Sequence, residues 1–134
     1  MKKAILFIAL PVVFALAACH STPDYIPEDL QPREYFQLAQ EAVVERQDYD
    51  TALFYYQTFL ERFPTDIQRT VEAEYEIAFI RYKQKDPRAE QLFRDLLARY
   101  DREGAELLPG WPRVLAEKLL KNITEEDAAS TAAR

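Results

Sequence analysis

Nucleophilic, acid–base or metal chemistry needs a thiol, an imidazole or converging carboxylates, and this chain supplies few of them. Its single cysteine is Cys19, and its single histidine, His20, follows directly. One cysteine excludes an intramolecular disulfide. One histidine in a proline-bearing polar stretch gives no partner for a proton relay or a metal site. Glu72, Glu74 and Glu76 alternate along the chain. On a helix that spacing scatters them around the circumference, so they read as a solvated face rather than a carboxylate pair. Lys83, Lys85 and Arg88 cluster beside Asp86; they would suit an acidic partner, but the reading preferred is a solvated helix end. With Gly104 and Gly110 as the only glycines, no Gly-rich phosphate loop can be built. The expectation is a protein without enzymatic activity, metal or bound cofactor.

The amino terminus gives Cys19 a different meaning. Lys2 and Lys3 form a positive start, Ala4 to Ala18 is an uncharged apolar stretch interrupted by Pro11, and Ala17 and Ala18 precede the cysteine. That is the layout of an export signal, too short to span a bilayer comfortably, which takes about 20 apolar residues. Leu16-Ala17-Ala18-Cys19 resembles the lipobox of bacterial lipoproteins. The resemblance implies a signal peptide over residues 1–18, cleavage before Cys19, and palmitate-type acyl chains attached there. One chain binds a membrane only marginally, at about 0.8 kcal/mol per buried CH₂, whereas two or three hold firmly. The residue after the cysteine is His20 and not the aspartate of the familiar inner-membrane retention signal, so the outer membrane is the expected address. In that setting the sequon Asn122-Ile123-Thr124 carries no meaning.

Cleavage would leave 116 residues, one small domain's worth of chain, with fifteen Lys and Arg against twenty-three Asp and Glu, a net charge of −8. Such a balance argues against nucleic acid or an anionic bilayer surface as partner. Few turn residues and no run of alternating β-branched residues make the chain all-helical. Residues 19–32 contain Pro23, Pro27 and Pro32 and read as the lipidated cysteine and an extended tether. The stretch after the cysteine reaches at most roughly 40 Å, although Tyr25, Ile26 and Leu30 are also able to pack along the first helix. Five helices are expected across a domain of residues 33–124. They run from Arg33 to Gln47, from Asp48 to Phe63, from a Thr65-x-x-Gln68 capping box to Lys85, from Asp86-Pro87 to Tyr100, and from Pro112 to Ile123. Residues 125–134 lose large apolar side chains and read as a flexible tail.

Within that domain a pattern repeats. Phe36-x-x-Ala39-Gln40-x-x-Val43 leads to Ala52-x-x-x-Tyr56-x-x-Phe59 and Pro64; Tyr75-x-x-Ala78-Phe79-x-x-Tyr82 leads to Ala89, Phe93 and Leu96. Small alanines let antiparallel helices approach and aromatics fill the space above and below them. The unit resembles the tetratricopeptide (TPR) repeat of about 34 residues. Its second copy has a shorter turn, and both copies carry a large residue, Gln40 or Phe79, where the family prefers a small one. The fold expected is two TPR-like hairpins plus a C-terminal capping helix, a short α-solenoid, with Val114, Leu115, Lys118, Leu119, Leu120 and Ile123 forming the stripe of the cap.

Anchor and repeat together resemble the TPR lipoproteins of the bacterial envelope, in the style of the BamD-like component of outer-membrane β-barrel assembly, with fewer repeats. That resemblance implies a scaffold that binds an envelope protein or peptide on the concave face formed by the first helix of each repeat. It makes Gln40, Val44, Phe79, Tyr82 and Lys83 the candidate binding residues, with Phe54 and Tyr55 as further aromatic candidates. For Phe79 and Tyr82 core packing is the preferred reading, ahead of contact with a partner. The alternative function is a small-molecule-binding accessory of a periplasmic capture or transport system. A homodimer covering the exposed repeat ends is a further partner expectation.

Overall fold

The computed structural model describes residues 22–133; the signal peptide, Cys19 and His20 lie outside them. The order is α1 (Pro32–Arg46), α2 (Tyr49–Arg62), α3 (Ile67–Lys83), α4 (Arg88–Ala98), two single 3₁₀ turns (Arg99–Asp101 and Ala105–Leu107) and α5 (Gly110–Ala132). No strand occurs among the described residues, and no helix among them is long and apolar enough to cross a membrane. The chain is an all-helical repeat: two hairpins, α1–α2 and α3–α4, with α5 laid against the second.

Local chemistry sets the helix ends. Pro32 opens α1, where a missing N–H is harmless, and the Glu34 carboxylate accepts the Gln31 N–H at 2.7 Å. Asp48 caps α2 by accepting the Thr51 N–H at 3.0 Å. The cap of α3 is Asp66, whose Oδ1 accepts the Arg69 N–H at 3.2 Å, and not the expected Thr65. A carboxylate satisfies the free N–H groups and meets the positive end of the helix dipole better than a hydroxyl. Gln68, released from the capping box, donates instead to the Leu107 carbonyl at 3.1 Å. The final helix overruns its expected end at Ile123, so the tail expected over residues 125–134 is helical as far as Ala132. Ala128, Ala129 and Ala132 are strong helix formers, although this last stretch is exposed throughout.

The first hairpin closes on Tyr35, Ala39 and Ala42 of α1 and Ala52, Leu53, Tyr56 and Phe59 of α2. Alanines at the crossing let the helices approach. Phe36 then meets Tyr56 and Phe59 edge-on, with ring centroids 5.3 and 5.1 Å apart. The middle helix is buried on two sides. Ala73, Ile77 and Ile80 face the first hairpin, while Val71, Tyr75 and Ala78 join Phe93 and Leu96 of α4 and Ala116 of α5. Both sets keep helical spacing of three and four, so one helix bridges two cores.

The expected tether is shorter than the sequence suggested. Ile26 is buried in the first core, with Leu30 packed beside it. Arg62 holds the segment in place: its guanidinium donates to the carbonyls of Pro27 at 2.8 Å and Ile26 at 3.1 Å, and to the Tyr35 hydroxyl at 2.6 Å. Burying an isoleucine is worth about 1.5–3 kcal/mol, enough to dock a short segment. Residues 20–25 lie between Cys19 and Ile26, a reach of at most roughly 20 Å. Replacing Arg62 with alanine is expected to cost about 1.5 kcal/mol and to expose the Ile26–Leu30 segment to limited proteolysis. An unchanged cleavage pattern would show that the guanidinium does not hold it.

Candidate functional site

Each candidate binding residue lies on the first helix of a hairpin. On α1, Gln40 is exposed and Val44 is 80 % exposed, on the side turned away from the Ala39–Ala42 seam. Glu41 and Arg46 form an ion pair nearby at 3.7 Å. Phe54 and Tyr55, expected as an exposed aromatic surface, are partly buried against the first core. Burial raises the Tyr55 hydroxyl pKa, opposed by Arg46 and reinforced by Glu41. The α1 face therefore offers an aliphatic and an amide side chain bordered by charge.

The α3 candidates divide between core and surface. Phe79 stacks on Tyr75, ring centroids 6.1 Å apart and nearly parallel, and both Phe79 and Tyr82 pack against the second core. Tyr82 and Lys83 line an open groove of about 690 Å³ between the α3–α4 turn and α5, closed on its far side by Ile123, Glu126 and Asp127. Gln40 and Val44 do not reach this groove, so the five candidates form two surfaces. The basic cluster is smaller than its sequence implied. Asp86 accepts the Arg88 backbone N–H at 2.9 Å and its guanidinium at 2.5 Å. Those bonds hold the Asp86 carboxyl well below the usual range. Lys83 and Lys85 remain to face Glu126 and Asp127 across the groove.

Two of the three alternating glutamates are not on a solvated face. With α3 packed on two sides, little of its circumference is left for water. Glu74 points into a cleft of about 340 Å³ floored by Leu60, Ile77, Leu92 and Leu96 and rimmed by Asp95, Arg99 and Arg102. Its Oε1 pairs with Arg99 at 2.5 Å, while Oε2 is buried without a hydrogen-bond partner. Burial raises its pKa, opposed chiefly by Arg99. This cleft was illegible in the sequence, because it is assembled from three helices and the turn after α4.

The Glu76 pKa is also raised, first by burial and then by Glu72. The folded chain therefore retains a proton at Glu76 that the unfolded chain has released, in a window opening near the ordinary value of 4.5. Stability falls as pH rises through that window, and the penalty is complete above the folded-state pKa. Glu76→Gln is expected to raise the melting temperature at pH 7 and to flatten the decline from pH 4.5 upward. Parallel melting curves for both proteins across that range would refute the assignment.

Trp111 closes the end of the second hairpin. Its ring meets Tyr75 edge-on at 5.1 Å, and its Nε1 donates to Glu72 at 3.4 Å. The expected stripe of α5 splits: Leu119, Leu120 and Ile123 pack inward, whereas Val114 is 63 % and Leu115 39 % exposed. No group of three or more His, Cys, Asp or Glu side chains able to hold a metal occurs among the described residues. The described surface carries two exposed helix faces, a charged groove and an amphiphilic cleft.

No family model matches the chain, and no solved structure matches it. The chain is similar to a protein of Treponema pallidum (strain Nichols) described as an uncharacterized protein. The two are 38 % identical over 104 residues, covering 75 % of this chain and 41 % of the relative. The chain thus spans about two fifths of that relative's length.

Proposed function

We propose that this chain is a lipid-anchored helical-repeat adaptor of the bacterial envelope, held at the outer membrane through Cys19 and binding another envelope protein. The observation that carries the reading is the pair of outward-facing positions Val44 on α1 and Lys83 on α3. They occupy equivalent places in the repeat, 39 residues apart, and both are exposed. An 80 % exposed valine contributes little to folding, and burying it against a partner would contribute about 1.5 kcal/mol or more. A role in outer-membrane protein assembly is what the lipoprotein resemblance adds. The test is affinity isolation from solubilised envelopes with the full chain and with Val44→Asp/Lys83→Glu. The wild type retains a specific protein, and the double variant loses it with an unchanged melting temperature. Identical recoveries would refute the reading.

A second reading draws on the cleft at Glu74. The unpartnered Oε2 and the Arg102 guanidinium above an apolar floor suit a small amphiphile carrying both a donor and an anionic group, which is the small-molecule accessory role. Native mass spectrometry of the purified chain tests it; absence of any bound species, with no Glu74-dependent ligand, counts against it.

A further inference from the structure

The outer side of α5 carries a row of positions: Val114, Lys118, Lys121, Glu125, Ala129 and Ala132 are exposed, Asn122 is half-buried, and Trp111 keeps 41 % of its surface exposed beside its contact with Tyr75. Apart from the adjacent central pair Lys121–Asn122, they follow one another at steps of three or four residues, which keeps them on one face of the helix. The row is also symmetric about its midpoint between Lys121 and Asn122. Turned end over end, Trp111 falls opposite Ala132, Val114 opposite Ala129, Lys118 opposite Glu125, and Lys121 opposite Asn122. Large apolar side chains at one end thus meet alanines at the other, and a cation meets an anion between them. Lys118 makes no ion pair among the described residues. Glu125 has only a 3.6 Å contact with Lys121, both side chains well exposed.

A second feature points the same way. Residues 124–132 of α5 are exposed and extend beyond the Ala116–Ile123 contact with α3 and α4. Helices gain most of their stability from packing one face, and an unpacked terminal stretch of this length is marginal alone.

We infer that α5 pairs antiparallel with α5 of a second copy of this chain, with the two-fold axis between Lys121 and Asn122. Each contact then occurs twice, so the surface is its own complement. Two Lys118–Glu125 pairs fix the register, and two clusters of Trp111 and Val114 seat on the alanines of the opposing helix. The second copy is the occupant that the positional symmetry specifies, since an unrelated helix would not require large and small residues to exchange places about a midpoint. Pairing leaves Val44 and Lys83 free, so the adaptor surface would be presented twice.

Disulfide trapping on the full chain in native membranes tests this directly. Asn122→Cys, beside the axis, is expected to give a covalent species of twice the chain mass under mild oxidation. Glu103→Cys, exposed between the two 3₁₀ turns, gives none. Lys118→Glu or Glu125→Lys alone is expected to weaken association about tenfold, read as loss of trapping at position 122. Combining the two reverses both charges and restores it. Glu103, Lys118 and Glu125 are exposed and Asn122 is half-buried; the Asn122→Cys chain is expected to melt like the wild type, which keeps trapping separate from folding. The inference is overturned by equal trapping at positions 103 and 122, by adducts only with a different protein, or by a double variant that stays untrapped.

Discussion

Phe59→Ala is expected to lower the unfolding free energy by about 3–5 kcal/mol, the largest loss any single truncation of the first hairpin would produce. The residue has no exposed surface. Its ring contacts Tyr35 at 6.0 Å, Phe36 at 5.1 Å and Phe63 at 5.4 Å, so alanine there removes one member of a four-ring cluster and leaves a cavity. The surrounding backbone cannot collapse into that space, because Ala39, Ala42 and Ala52 already hold α1 and α2 at close approach. For a domain of this size the melting temperature should fall on the order of 15 °C. Val44→Ala, on the outer side of the same hairpin, should change stability by no more than about 0.5 kcal/mol. Comparable effects at the two positions would contradict the packing described.

Cys19→Ser is expected to abolish incorporation of labelled fatty acid and to move the chain from the membrane to the soluble or unprocessed fraction. A hydroxyl in place of the thiol leaves no site for the thioether. No described helix is long and apolar enough to replace the anchor. With each buried CH₂ worth about 0.8 kcal/mol, losing two or more acyl chains removes essentially all membrane affinity of the processed protein. Persistent fatty-acid labelling of the variant would contradict the role assigned to Cys19.

The hairpins were legible because their signal is local. Alanines and aromatics three and four residues apart name their own seam, and prolines and aspartates mark where each helix begins and stops. Burial set by distant residues was not legible. The docking of Ile26 depends on Arg62, 36 residues away. The embedding of Glu74 and Glu76 follows from α3 packing on two sides, whereas the sequence marked only the Tyr75–Ala78 side. The length of α5 was missed for another reason. Loss of large apolar residues after Glu125 signals loss of packing, yet alanine keeps the backbone helical without it. Among the candidate binding residues, exposure at Gln40, Val44 and Lys83 followed from the repeat register. Phe79 and Tyr82 read first as core residues, and both pack against the second core.

The proposed adaptor role requires contact with a partner through the exposed α1 and α3 positions while the chain is anchored. A photo-crosslinking residue at Val44 in the full-length chain, activated in intact cells, examines that contact where it would occur. A discrete adduct with one envelope protein is expected, reproduced from Lys83 and absent from Glu103. No adduct from Val44 or Lys83, or the same adducts from all three positions, would contradict it.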